Sequence, residues 1–127
     1  MHSIDDIMDM LDWNRSIEEQ LKGLELAKTV KSINVFIQPL DYKHNKNVWE
    51  NCAKILSERS DEELRPYITS LLEWLQDMNW PGAFIIFERL KNYKDKKWFD
   101  LAYNEVINMT EKLEDEIWKK NLIGLKN

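Results

Sequence analysis

The chain has 127 residues, 43% apolar and 32% charged, which suits one compact domain burying roughly two thirds of its unfolded surface. Only three Gly and three Pro occur, too few for the frequent tight turns of an all-β protein or for a phosphate-cradling loop. A net charge of −5 and a pI near 5.1 set the whole-molecule field against nucleic acid and in favour of a basic partner.

The single Cys52 excludes an internal disulfide and fits a reducing compartment. The segment from Met1 to Asp6 is acidic where a signal peptide would be basic. The longest apolar run, Ala83 to Phe87, is too short to span a bilayer. The expectation is a cytoplasmic protein without a membrane partner.

In chain order, Ser3 and Asp6 form a capping-box-like pair, and Ile4, Ile7, Met8 and Leu11 follow at helical spacing, so a first helix should end near Trp13-Asn14. Ser16 with Glu19 is a second capping box. The helix after it aligns Ile17, Leu21, Leu24, Ala27 or Lys28, and Lys31 in one row, flanked by Leu26 and Val30. Residues Ile33 to Ile37 read as a short buried turn stopped by Pro39, and the polar stretch Asp41 to Asn47, which holds His44, reads as the longest loop.

Trp49, Cys52, Ala53 and Leu56 mark the next helix, closed before Ser60, which begins a capped turn with Glu63. Pro66 should break that turn and start a new helix carrying Ile68, Leu71, Leu72 and Leu75. Past the corner Asn79-Trp80-Pro81, residues Ala83, Phe84, Ile86, Phe87 and Leu90 make the most apolar helix, expected at the centre. The last helix is predicted to run unbroken from Lys96 through Trp98, Leu101, Ala102, Val106, Met109 and Leu113 to Ile117.

Ile4 to Leu11 with the corner Trp13-Asn14 echoes Ile68 to Leu75 with the corner Asn79-Trp80 at an offset of about 64 residues. Two readings stand: chance similarity of amphipathic helices, or repeated helix pairs. The pattern over residues 71 to 83, Leu-Leu-Glu-Trp-Leu-Gln-Asp-Met-Asn-Trp-Pro-Gly-Ala, resembles a bacterial domain of unknown function with HEAT-like helical repeats, marked by a Trp-Leu-Gln-Asp-x-Asn-Trp-Pro corner. The clear match covers residues 60 to 93. It implies an all-α fold, a short α-solenoid of stacked antiparallel helix pairs with about six or seven helices over residues 1–127. It supplies no enzymatic residues, and some proteins of this kind are similar to immunity proteins that neutralise a cognate toxin.

No Gly-rich phosphate loop, His-Glu-x-x-His, Cys-x-x-Cys or Gly-x-Ser-x-Gly motif occurs, and the only His are His2 and His44. No catalytic residue, metal or cofactor is expected. His44 reads as a solvated loop residue, and Cys52 as a buried, inert thiol. Asp5, Asp9 and Asp12 line one side of the first helix. They are either a solvated face favoured by the helix dipole or a contact for a cation or a basic partner. The basic residues Arg89, Lys91, Lys94, Lys96 and Lys97 gather around one connection.

At the second corner Asp77 and Asn79 are expected to satisfy free donors at the start of the next helix, with Pro81 in its first turn. Trp80 and its counterpart Trp13 either close the two corners or anchor a partner. The function expected is therefore non-enzymatic binding of one basic protein, most concretely by an immunity protein facing a toxin domain. The expected contact residues are Asp5, Asp9, Asp12, Trp13, Asp77 and Trp80. The alternatives are a HEAT-like DNA glycosylase, which the acidic charge opposes, and a general scaffold or regulator.

Overall fold

The computed structural model describes residues 3–39 and 46–127. They form α1 (Ile4–Met10), α2 (Ile17–Ala27), α3 (Trp49–Ser57), α4 (Asp61–Leu64), α5 (Ile68–Glu73), α6 (Ala83–Lys91), α7 (Lys96–Leu113) and α8 (Glu116–Ile123). Short 3₁₀ turns join several of them, notably Lys46–Val48 ahead of α3 and Arg65–Tyr67 between α4 and α5. Counting α4 and α5 as one helix with a tightened middle leaves seven, and no strand occurs among the described residues. The fold is all-α, and no described helix is long and apolar enough to cross a membrane.

Helix starts follow their caps. Ser3 and Ser60 each make both halves of a capping box, with Asp6 and Glu63. Ser16 makes only one half: its Oγ accepts from the Glu19 N–H, while the Glu19 carboxylate is taken by Arg15 at 3.4 Å. The expected break at Pro66 is a change of winding. A 3₁₀ turn absorbs the missing N–H, and α5 starts at Ile68.

α1 and α2 fold back on each other so closely that a Cβ on Gly23 would stand 2.8 Å from Met10 Cβ. α3 packs against α2 and α6, α5 against α7, and α7 against α8. The most enclosed helix is α3, which buries Trp49, Asn51, Cys52, Ala53, Ile55 and Leu56, rather than the more apolar α6. Cys52 is fully buried, as its place on the apolar face implied. Trp74 and Trp118 fill the middle of the core, each satisfying its indole N–H on a backbone carbonyl, of Pro81 and Leu72, at 3.0 Å.

Four expectations are corrected. The last helix does not run through to Ile117: Glu114 adopts a left-handed conformation (φ 55°), and Asp115 caps a new helix by accepting from the Trp118 N–H at 3.0 Å. The face of α7 that packs is Phe99, Tyr103, Val106 and Thr110, leaving Trp98, Leu101 and Leu113 exposed, and Ile117, now on α8, is exposed as well. Phe84 is 69% exposed, because α6 turns Ala83, Ile86 and Leu90 inward instead. On α2 the row splits: Ile17 and Leu21 face outward, 70% and 59% exposed, whereas Ala27 near its other end lies against the core with Gly23.

Candidate functional site

The two Trp corners are built by one local device. At the first, Asp12 Oδ1 accepts from the Asn14 N–H at 2.8 Å; at the second, Asp77 Oδ1 accepts from the Asn79 N–H at 2.8 Å. Each carboxylate thereby replaces a backbone acceptor in a tight turn. Asp77 and Asn79 thus shape the corner itself and do not cap α6. That helix starts at Ala83, with Gly82 as N-cap at φ 83°, so Pro81 lies in the turn ahead of it. Glycine is required twice over at this point: for the positive φ, and because a Cβ would stand 2.7 Å from Ala53 Cβ and 3.0 Å from the Trp49 carbonyl.

The 3₁₀ turn Lys46–Val48 brings the corners together. The Trp13 N–H donates to the Asn47 carbonyl at 3.1 Å, and Lys46 Nζ lies 5.7 Å from the Trp80 ring and 5.6 Å from that of Trp49. Trp80 meets Trp49 edge to face, with centroids 5.4 Å apart at 89°. The first corner is fastened from behind: Asn51 Nδ2 donates to the Leu11 carbonyl, and Gln20 Nε2 donates to the carbonyls of Trp13 and Arg15.

Of the expected site residues, Trp13 is 44% exposed, while Trp80, Asp12 and Asp77 are half-buried around this edge. Asp5 and Asp9 lie exposed on α1. Among the described residues no His, Cys, Asp and Glu gather into a set that could hold a metal ion, so the α1 stripe does not form a cation cage. His44 lies outside the described residues. The basic cluster is partly structural. Arg89 binds Asp61 at 2.6 Å, the Lys94 N–H donates to the same carboxylate at 2.8 Å, and Lys96 Nζ donates to the Tyr93 carbonyl at 2.6 Å.

The sequence did not disclose the surface that continues from Trp80. A hollow of about 270 Å³ beside Trp80 is bounded by Glu50, Asn79 and Phe84. It shares Phe84 and Ile85 with a second hollow of about 490 Å³ that reaches Ser57. Ser57 in turn borders a groove of about 680 Å³ between α2 and α3, where Leu21, Leu24 and Ile55 supply the apolar lining. Leu21, Leu24 and Phe84 read as core in the sequence because helical periodicity marks a face without saying whether another element covers it.

Charge around the groove is unevenly committed. Glu25 holds Lys28 at 3.0 Å and is the main reason the Lys28 ammonium titrates above its ordinary range. Arg59 turns inward to the carbonyls of Ala27 and Val30 and binds Glu63 at 2.9 Å, which with the Ser60 N–H draws the Glu63 carboxyl below its ordinary range. Burial pushes Asp61 up, but the Lys94 N–H and the Arg89 guanidinium outweigh it and leave its carboxyl below the ordinary range. Burial raises Glu73.

A family model described as a domain of unknown function, DUF5071, matches residues 42–126, two thirds of the chain. The chain belongs to the DUF5071 family. The DUF5071 region takes in α3 to α8 and the second corner, with Asp77 and Trp80, and begins after α1, α2 and the first corner. No curated protein and no solved structure matches the chain.

Proposed function

We propose that this DUF5071 protein is a non-enzymatic binding module for one basic protein partner, most concretely an immunity protein that neutralises a toxin domain. The observation that carries the reading is the convergence of the two Asp-Trp corners around the Lys46–Val48 turn. Trp13 and Trp80 there offer large amphipathic surfaces beside carboxylates, the residue types from which anchors for cationic side chains are made. The Trp80 ring, half-buried at this edge, already accepts one ammonium group, that of Lys46, and so has the chemistry to accept a partner's lysine or arginine. The net charge of −5 would speed encounter with a polycation. In this reading the helix pairs form a short solenoid whose edge is the contact.

The test is affinity capture from source cells followed by association rates at low and high salt. Because Asp12 and Asp77 also hold their turns, the charge is best removed by Asp→Asn at positions 5, 9, 12 and 77, which keeps the turn acceptor. The expected result is a partner of high pI whose association slows with salt and with these substitutions. An acidic partner, or rates indifferent to both, refutes the reading.

A further inference from the structure

We propose that the concave track across α2, α3 and α6 is a docking groove for a short amphipathic helix of a basic protein, with apolar residues along its centre and Lys or Arg on its flanks. The proposal rests on the protein-binding reading above and names the chemistry of the partner segment.

Shape is the first argument. The groove of about 680 Å³ lies between two helices, and α2, with 11 residues, is about 16 Å long, room for three turns of a third helix laid alongside. The apolar lining is the second. Leu21 and Leu24 face Ile55 from across the groove, and beyond Ser57 the track continues to Phe84 and Ile85. Leu21 and Phe84 are more than half exposed, on helices whose other faces already pack. Bulky apolar side chains gathered along one concavity mark an interaction surface, whereas isolated ones do not.

Charge selects the occupant. The two arginines at the groove are spent on the protein itself: Arg59 and Arg89 side chains are only 12% and 14% exposed and hold backbone carbonyls together with Glu63 and Asp61. Lys28 is held by Glu25. Among the described residues the carboxylates of Glu50 and Glu88 form no ion pair, and Glu58 acts on Lys28 without closing one, against one unpaired cation along the track, Lys54. The track is an apolar trough with an acidic margin. It complements a helix with a basic flank and repels an acidic one, or a second copy of this chain with its own charge of −5.

The experiment uses the full chain, labelled for NMR, and two designed helical peptides of about 14 residues sharing one row of leucines, one with lysine flanks and one with glutamate flanks. The lysine peptide should shift amides of α2, α3 and α6 saturably, with an affinity that falls about tenfold between roughly 50 and 300 mM salt. The glutamate peptide should bind at least about tenfold more weakly. The pair Leu21→Asn and Phe84→Asn, both at exposed positions, should weaken the lysine peptide about tenfold or more while leaving the unfolding midpoint in place. Equal binding of the two peptides overturns the proposal. So do shifts centred on α7 and α8, indifference to the paired substitution, or concentration-dependent shifts of this face without peptide. If capture recovers a basic partner whose rates respond to the Asp→Asn substitutions and the peptide result is negative, the groove assignment falls and the binding function stands. If the lysine peptide binds and the captured partner is acidic, the groove's preference for a basic-flanked helix stands, and both the reading of a basic partner and the assignment of a basic protein as the helix's source fall.

Discussion

Asn51 donates its Nδ2 to the carbonyl of Leu11 at 2.7 Å, a buried hydrogen bond that ties α3 to the end of α1 across 40 residues of sequence. The same amide donates to Gln20 Oε1 at 3.0 Å, and Gln20 holds the carbonyls of Trp13 and Arg15. Asn51→Ala leaves a buried acceptor unpaired and should lower stability by about 1–3 kcal/mol in urea unfolding. Asn51→Asp, which turns a carboxylate toward two oxygen acceptors, should cost at least as much. A loss below about 0.5 kcal/mol for Asn51→Ala would show that the first corner is held by other contacts.

Gly82 and Glu114 have positive φ for opposite reasons. Gly82 is also in close contact with α3, so Gly82→Ala combines about 1–2 kcal/mol of left-handed strain with a clash at Ala53, and should destabilise by at least about 2 kcal/mol. Glu114 carries the strain already. Glu114→Gly should raise the unfolding midpoint, by up to about 1 kcal/mol of stability. Thermal or urea unfolding of both variants reads the contrast directly.

Phe84 and Leu75 stand on either side of the second corner and differ in burial, 69% against 0% exposed. Leu75→Ala should cost about 2–5 kcal/mol. Phe84→Ala should change stability by no more than about 0.5 kcal/mol. Equal losses would place Phe84 in the core and remove it from the docking track.

Asp61 gives the protein an acid-sensitive clamp between α4 and the α6–α7 connection. Burial opposes its charge, but the Lys94 N–H and Arg89 prevail and lower its folded pKa. A lowered carboxyl contributes stability that is present above the unfolded value, about 3.9, and lost as pH falls through the folded value. Unfolding free energy should therefore drop below about pH 4, and Asp61→Asn should flatten that drop while costing about 1.5–3 kcal/mol at neutral pH. An unchanged acid limb in Asp61→Asn would assign the loss to other carboxylates.

Helicity and the starts of most helices are legible in the residues alone. Ser3, Ser16, Ser60 and the Asp-x-Asn corners are local devices, whose partners lie within three residues and need no tertiary context. The sequence also placed Asp77 and Trp80 at a corner and Cys52 in the core, because burial of a short apolar side chain on a strongly apolar helix face follows from periodicity.

Which apolar rows are covered depends on how the helices pack. Ile17, Leu21, Phe84, Leu113 and Ile117 have the same helical spacing as their buried neighbours, and only the path of the chain leaves them outside. The left-handed turn at Glu114 was likewise invisible, since nothing in that residue type marks a helix end. The meeting of Trp13 and Trp80 around Lys46–Val48, and the inward commitment of Arg59 and Arg89 that leaves an acidic margin on the groove, depend on contacts between segments tens of residues apart. Such contacts are set by how whole helices pack, a relation between surfaces that no local pattern encodes.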